Sequence, residues 1–292
     1  MRVLITGADG MLGSDVKNAL VGHNVNATNK KTLDVTKYED FRKQKNFNPD
    51  FIVHLAAVTD LEECEKNPQK AYFVNHVGTF NAVMFAEEIG AKFIYIGTTN
   101  IFDGEKGLYR ENDTYSRSNP INEYGRSKFY GENSASYIIP FKTWIIRAGW
   151  MFGGGIKKEK KFIKKIFDSI KNTKNKTYAV DDIEGSLTYT KDVARFIRLI
   201  LDKKVSTGVY NVACHGTATR YLIALLVAEK VGIDKKIERV KSSYFKKEYS
   251  CVRPKKETLS IKKINEIDNF ETRSWVEELT DYLEKEYKSY VN

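Results

Sequence analysis

A tyrosine and a lysine stand four residues apart in Tyr124-Gly-Arg-Ser-Lys128, a spacing that puts both on one face of a helix. A phenol with a pKa near about 10 exchanges protons poorly at neutral pH unless its anion is stabilised. An ammonium ~4 Å away, at an effective dielectric of ~20, is worth ~4 kcal/mol, or roughly three pKa units. Lys128 is therefore expected to draw Tyr124 toward the working pH, where a positioned acid contributes about 10²- to 10⁴-fold. A hydroxyl to share a substrate's carbonyl oxygen is available in Thr98-Thr-Asn100, just past the strand-like run Lys92–Gly97. Such strand ends are where doubly wound sheets bind ligands. Alone, Tyr-x-x-x-Lys is common by chance on helix surfaces; its weight comes from what precedes it.

What precedes it is Thr6-Gly-Ala-Asp-Gly-Met-Leu-Gly13, between a strand and a helix at the start of the chain. Gly7 permits the tight turn, Gly10 lets backbone approach a pyrophosphate, and Gly13 lets helix and strand pack closely. The helix start then offers unpaired N–H groups and partial positive charge to the phosphates. An acidic residue that would hold a ribose 2′-hydroxyl is missing from Ala27-Thr-Asn-Lys-Lys31, and Lys30 or Lys31 can face a 2′-phosphate instead. NADP(H) is the preferred cofactor on this ground, with NAD(H) as the alternative.

The elements that must position these groups follow from hydrophobic periodicity. Arg2–Thr6, Asn24–Thr28, Phe51–His54, Lys92–Gly97 and Thr143–Ala148 read as strands, and Met11–Leu20, Gln69–Gly90 and Tyr124–Ser136 as helices. The alternation predicts an α/β fold: a Rossmann-type doubly wound parallel sheet with a smaller α/β C-terminal substrate lobe. The dinucleotide-binding domain is placed at 1–152, with 186–204 returning to it, and the substrate lobe at 153–185 and 205–292. In the second half Thr190–Asp202 and Tyr221–Val231 read as helices and Gly208–Val212 as a strand, and a final helix starts at Ser274, capped reciprocally with Glu277.

Composition bounds the rest. No apolar run reaches the ~18 residues of a membrane span, and Arg2–Thr6 runs into the glycine loop without room for a signal peptide, so a cytoplasmic protein is expected. Cys64, Cys214 and Cys251 suggest neither disulfides nor zinc, and His23, His54, His76 and His215 are scattered, so no catalytic metal is expected. The formal charge of +10 fits a nucleotide ligand, but its densest run, Lys157 to Lys165 with Lys160, Lys161 and Lys164, reads as the solvated face of a helix carrying Phe162, Ile163 and Ile166 inward. No motif supports a nucleic-acid partner.

Joined, these motifs resemble the extended short-chain dehydrogenase/reductases and, within them, the dTDP-4-dehydrorhamnose reductase family. The likeness runs through the glycine segment, Asp34-Val-Thr36, His54-Leu-Ala-Ala57 with Thr59 and Glu65, and Asn75 with Gly78. It continues through Gly97-Thr-Thr-Asn-Ile-Phe-Asp-Gly104, Asn119-Pro120 before Tyr124, Arg147-Ala-Gly-Trp-Met-Phe-Gly153 and Arg253-Pro254. The resemblance implies Thr98, Tyr124 and Lys128 as catalytic residues. It implies a cofactor site from Gly7, Asp9, Gly10, Met11, Leu12, Gly13, Lys30, Asp34, Val35, Ala56, Ala57, Thr59 and Asn75, together with Tyr124 and Lys128. It implies a substrate site from Thr99, Asn100, Phe102, Trp150 and Arg253, with Trp150 along the sugar and Arg253 on the diphosphate.

The activity so implied is NADPH-dependent reduction of a 4-keto, nucleotide-diphosphate-activated 6-deoxysugar, as in dTDP-rhamnose-type synthesis for surface polysaccharide. Thr99 and Asn100 stand where the family has Asp-Tyr, and Val58 where it usually has histidine, all at the sugar pocket. Nucleotide-sugar dehydratases carry Asp-Glu after the threonine; Thr99-Asn100 supplies no such acid or base. The alternatives are a 4-epimerase and a non-catalytic NADP-binding regulatory subunit, like the β subunit of methionine adenosyltransferase. The family leaves room for a homodimer and for magnesium as a structural ion at a subunit contact.

Overall fold

The computed structural model describes residues 1–113, 118–159, 162–172, 176–202, 204–233 and 236–287. Its first half alternates β1 (Arg2–Thr6), α1 (Met11–Ala19), β2 (Asn24–Ala27), α2 (Tyr38–Arg42), β3 (Phe51–His54), α3 (Leu61–Lys66), α4 (Pro68–Tyr72), α5 (Gly78–Ile89), β4 (Lys92–Thr98), α6 (Glu123–Ile138) and β5 (Thr143–Ala148). Runs such as Val3-Leu-Ile5 and Phe93-Ile-Tyr95 are apolar on both faces, as strands covered by helices on both sides must be. One face packs with α1, the other with α5 and α6. The helix expected over 69–90 runs without interruption from Pro68 to Ile89, and a π-helical turn at Phe73–Val77 marks the junction of α4 and α5.

The second half supplies β6 (Trp150–Phe152), α7 (Phe162–Asn172), β7 (Lys176–Val180), β8 (Glu184–Gly185), β9 (Leu187–Tyr189), α8 (Thr190–Leu201) and β10 (Gly208–Val212). Then follow β11 (Ala218–Thr219), α9 (Arg220–Lys230), β12 (Lys236–Val240), β13 (Lys256–Glu257) and α10 (Trp275–Glu286). Ser274 and Glu277 form the expected capping box on α10. Ile163 is buried, with Phe162 and Ile166 packed against the same cluster, while Lys160 and Lys161 lie outside the described residues.

The central sheet has six strands in the order β10-β5-β4-β3-β1-β2, all parallel. Here the expected boundary shifts. Residues 205–292 were placed in the substrate lobe, but β10 pairs with β5 across Gly208↔Trp144 to Val212↔Ala148. Tyr210 and Val212 join the nucleotide-domain core with Val193, Phe196 and Ile197 of α8, and Ile264 and Phe270 belong there too. The lobe proper keeps its own core, in which Phe152, Phe167, Leu187, Val227 and Tyr282 meet. The chain therefore returns to the first domain more often than its composition shows.

One buried ion pair ties α6 to the sheet. Arg147 on β5 donates from Nη2 to Glu132 Oε1 at 2.6 Å and from Nε to both carboxylate oxygens at 3.2 and 3.3 Å. Its Nη1 donates to the Glu111 carbonyl at 3.0 Å, and both ionic side chains are at most 2% exposed. Removing one partner of such a pair strands a charge out of water, at a cost of about 3–5 kcal/mol. Arg147→Met and Glu132→Gln should each lower the unfolding free energy by about that amount, read from urea midpoints at neutral pH. The double variant should recover part of the loss.

Candidate active site

The glycine loop is built as its sequence suggested. Gly7 has φ 67°, and a Cβ there would lie 2.7 Å from the Ala56 nitrogen. A Cβ on Gly13 would lie 2.5 Å from the Ala8 carbonyl oxygen, so α1 can approach β1 only with glycine. Gly10 is exposed and precedes α1, and no side chain caps the helix. The first turn, Met11, Leu12 and Gly13, thus presents its N–H groups to an anion. Thr6 Oγ1 pairs with His54 Nδ1 at 2.9 Å and accepts from the Leu55 and Ala56 nitrogens, holding the ends of β1 and β3 in register.

The rim follows from local hydrogen bonding. Asn29 folds the loop after β2 by accepting from the Lys31 and Thr32 nitrogens, and donates to exposed Asp9 at 2.6 Å. Lys30 and Lys31 are left exposed beside the cradle. Asp34 accepts from Thr36, and Val35 is buried against Gly78. Ala56, Ala57 and Thr59 are half-buried past β3. Asn75, in the π-helical turn, is aimed inward: its Oδ1 accepts from the Val58 nitrogen and its Nδ2 donates to the Val58 carbonyl and Ser127 Oγ. These residues fit a dinucleotide.

Thr98 ends β4 and Tyr124 lies in the first turn of α6, and the two side chains are close enough for the threonine hydroxyl to lower the phenol's pKa. Burial pushes the phenol up to about 12; Thr98 opposes this, while Cys64 and Glu257 push in the same direction as burial. Lys128 lies one turn further on, its Nζ 4.1 Å from the centre of the Tyr95 ring. Burial brings this lysine down to about 7, against the pull of Glu132. The expected lowering of the phenol by Lys128 is thus not what the geometry gives. Helical spacing brings the two groups to one face, but the ammonium turns onto Tyr95 and both groups lose water. At neutral pH the tyrosine keeps its proton, which is the form a proton donor needs.

The substrate side departs further from expectation. Thr99 and Asn100 are buried, and both donate to Glu257 Oε2, at 3.2 and 2.5 Å. Phe102 is 0% exposed and stacks on Tyr109 at 4.0 Å, so it is core and offers no face to a sugar. Trp150 is buried too: its ring carries the Arg220 guanidinium at 3.7 Å, and its side chain lies near enough to Glu257 to lower that carboxyl's pKa. An aromatic at a strand end suits packing as well as recognition, and here packing prevails for both. Arg253 stays half-buried, donating to Glu62 Oε1 at 3.0 Å beside Tyr249. No local motif in the sequence marks Glu257, Arg220, Asn122 or Tyr95.

Residues 1–288 match the family described as the RmlD substrate binding domain. The chain is 32% identical over 289 residues to the spore coat polysaccharide biosynthesis protein SpsK of Bacillus subtilis, covering 97% of each. A dTDP-4-dehydrorhamnose reductase from Clostridium acetobutylicum superposes with a TM-score of 0.89 at 30% identity, over 97% of this chain and 98% of that one. The enzyme of the same name from Bacillus anthracis, solved with NADP, gives 0.88 at 28% identity over the same shares.

The Lys128 environment makes a stability prediction. With a folded pKa of about 7 against about 10.4 in the unfolded chain, Lys128 binds fewer protons folded than unfolded between these values. Its contribution to stability therefore rises with pH across that window. Urea midpoints at pH 7 and 9.5 should show the wild type gaining relative to Lys128→Met as pH increases. A difference that is constant or shrinks would contradict the buried lysine.

Proposed function

The chain belongs to the RmlD substrate binding domain family, and on that premise we propose that it reduces the 4-keto group of a dTDP-activated 6-deoxysugar with NADPH. It is an oxidoreductase acting on a sugar carbonyl. The observation that carries the reading is the Thr98–Tyr124 pair, with Lys128 one turn beyond, at the carboxyl end of β4 beside the glycine cradle.

The dinucleotide, when bound, supplies hydride to the carbonyl carbon. Tyr124, protonated at working pH, gives its phenolic proton to the carbonyl oxygen. Thr98 presents its hydroxyl to the same oxygen and orients it. Lys128, brought down to about 7 by burial, gives the site a second proton carrier and would hold the ribose of a bound dinucleotide. Asn75 keeps Val58 and Ser127 in place and would line the site of a bound dinucleotide. Arg253, at the lobe's edge, offers its guanidinium fork to the diphosphate. Lys30 beside the cradle favours NADPH over NADH. This reading places the protein in the cytoplasm, with the nucleotide sugar as its partner; no helix among the described residues is long and apolar enough to cross a membrane.

NADPH oxidation assayed against dTDP-4-keto-6-deoxysugars tests the proposal directly. Tyr124→Phe should lower turnover about 10²- to 10⁴-fold while NADPH still binds, and a loss under about tenfold would reject the acid role. Arg253→Ala should raise KM for the nucleotide sugar with kcat and NADPH affinity unchanged, the pattern of lost uniform binding.

A further inference from the structure

Glu257 sits on β13 in the C-terminal lobe, 4% exposed, and two donors, Thr99 and Asn100, converge on its Oε2, with the Trp150 side chain beside it. A buried carboxylate is tolerated only with such partners, and once ionised it can only accept. That restriction propagates. Asn100 must turn its NH₂ toward Glu257, which leaves its Oδ1 to accept from Asn122 Nδ2 at 3.0 Å. Asn122 is then oriented in turn: its Nδ2 also donates to the Val252 carbonyl, and its Oδ1 caps α6 by accepting from the Gly125 nitrogen at 2.8 Å. Asn122 is 0% exposed, so water cannot substitute for any link. Gly125 closes the fit, since a Cβ there would lie 2.1 Å from the Asn100 carbonyl oxygen. The chain of acceptors ends at the N–H next to Tyr124, and its origin is in the other lobe.

We propose that Glu257 is a positioning residue for the proton donor, acting through Asn100 and Asn122 to fix the first turn of α6 and hold Tyr124 against Thr98. The carboxylate touches no reacting atom. It decides which way two buried amides face, and the amides decide where the helix starts. The Asn100 backbone nitrogen also donates to Thr98 Oγ1 at 3.3 Å, so the residue held by Glu257 reaches the threonine as well. Both members of the Thr98–Tyr124 pair are thus set from the same acceptor.

This rests on the reductase reading for what Tyr124 does, and the network is tested separately from it. Glu257→Met removes the acceptor at similar volume, and Glu257→Gln keeps one acceptor oxygen without charge. Amide hydrogen exchange at Gly125 needs no substrate, and Glu257→Met should speed it while Glu257→Gln stays close to wild type. With NADPH and a dTDP-4-keto-6-deoxysugar, Glu257→Met should lower kcat about ten- to a hundredfold, as misplaced reacting groups do, and leave NADPH affinity as it was. Glu257→Gln should restore most of kcat, a rescue that loss of general stability would not give. Unchanged Gly125 exchange in Glu257→Met would overturn the proposal whatever the turnover, as would a glutamine variant as slow as the methionine one. A wild type with no reductase activity, but with exchange at Gly125 that depends on residue 257 as described, would reject the reductase reading and support the positioning role.

Discussion

The Arg147–Glu132 pair runs beneath the strand that ends in Thr98, and the rest of the site is arranged around it. A Cβ on Gly97 would lie 2.8 Å from Glu132 Oε2 and 3.0 Å from Arg147 Cγ, so the strand passes over the pair with no side chain between. Two charges at most 2% exposed hold one another because neither can find water. Their price is strict geometry. Glu132 lies two turns along the helix from Tyr124 and one from Lys128, so fixing it against β5 fixes the phase of both. The depressed lysine follows, since Lys128 is buried near a carboxylate already engaged elsewhere.

A second set of contacts joins the lobes at the site. Glu62, on α3, accepts from the Ser250 and Cys251 nitrogens, from Ser250 Oγ and from Arg253. Asn122 holds the Val252 carbonyl, and Glu257 holds Thr99 and Asn100. The substrate lobe is thereby pinned to the nucleotide domain. Within the substrate lobe Arg220 makes a different kind of contact, its guanidinium at 3.7 and 3.9 Å from the rings of Trp150 and Phe162.

Geometry that depends on short spacing could be read from the sequence. Gly7, Gly10 and Gly13 act within one turn, Tyr124 and Lys128 within one helical face, and Ser274 with Glu277 within one cap. What depends on long-range closure could not. Glu257 meets Asn100 across 157 positions, and nothing near either residue announces the other. Phe102 and Trp150 misled for a different reason: an aromatic beside a strand end suits a pocket wall and a core equally, and only the partner it stacks on separates the two. The phenol was misjudged because spacing reports proximity and not hydration. The place of β10 was hidden likewise, since a five-residue apolar strand carries no label for the sheet it will join.

That last strand has a consequence for the order in which the molecule can be made. β5 is complete at Ala148, but its neighbour on the open side is β10, which ends at Val212, and most of the substrate lobe's early elements lie between them. As the chain leaves the ribosome at roughly 5–20 residues per second, β5 presents an unpaired edge for several seconds. Thr143–Ala148 is fully buried in the finished protein and therefore adhesive while exposed. A nascent chain halted in this interval is a nucleotide domain with one side open, the form in which strand exchange with another copy competes with completion. The interruption that lets one domain carry another thus also creates a window in which the protein depends on uninterrupted synthesis.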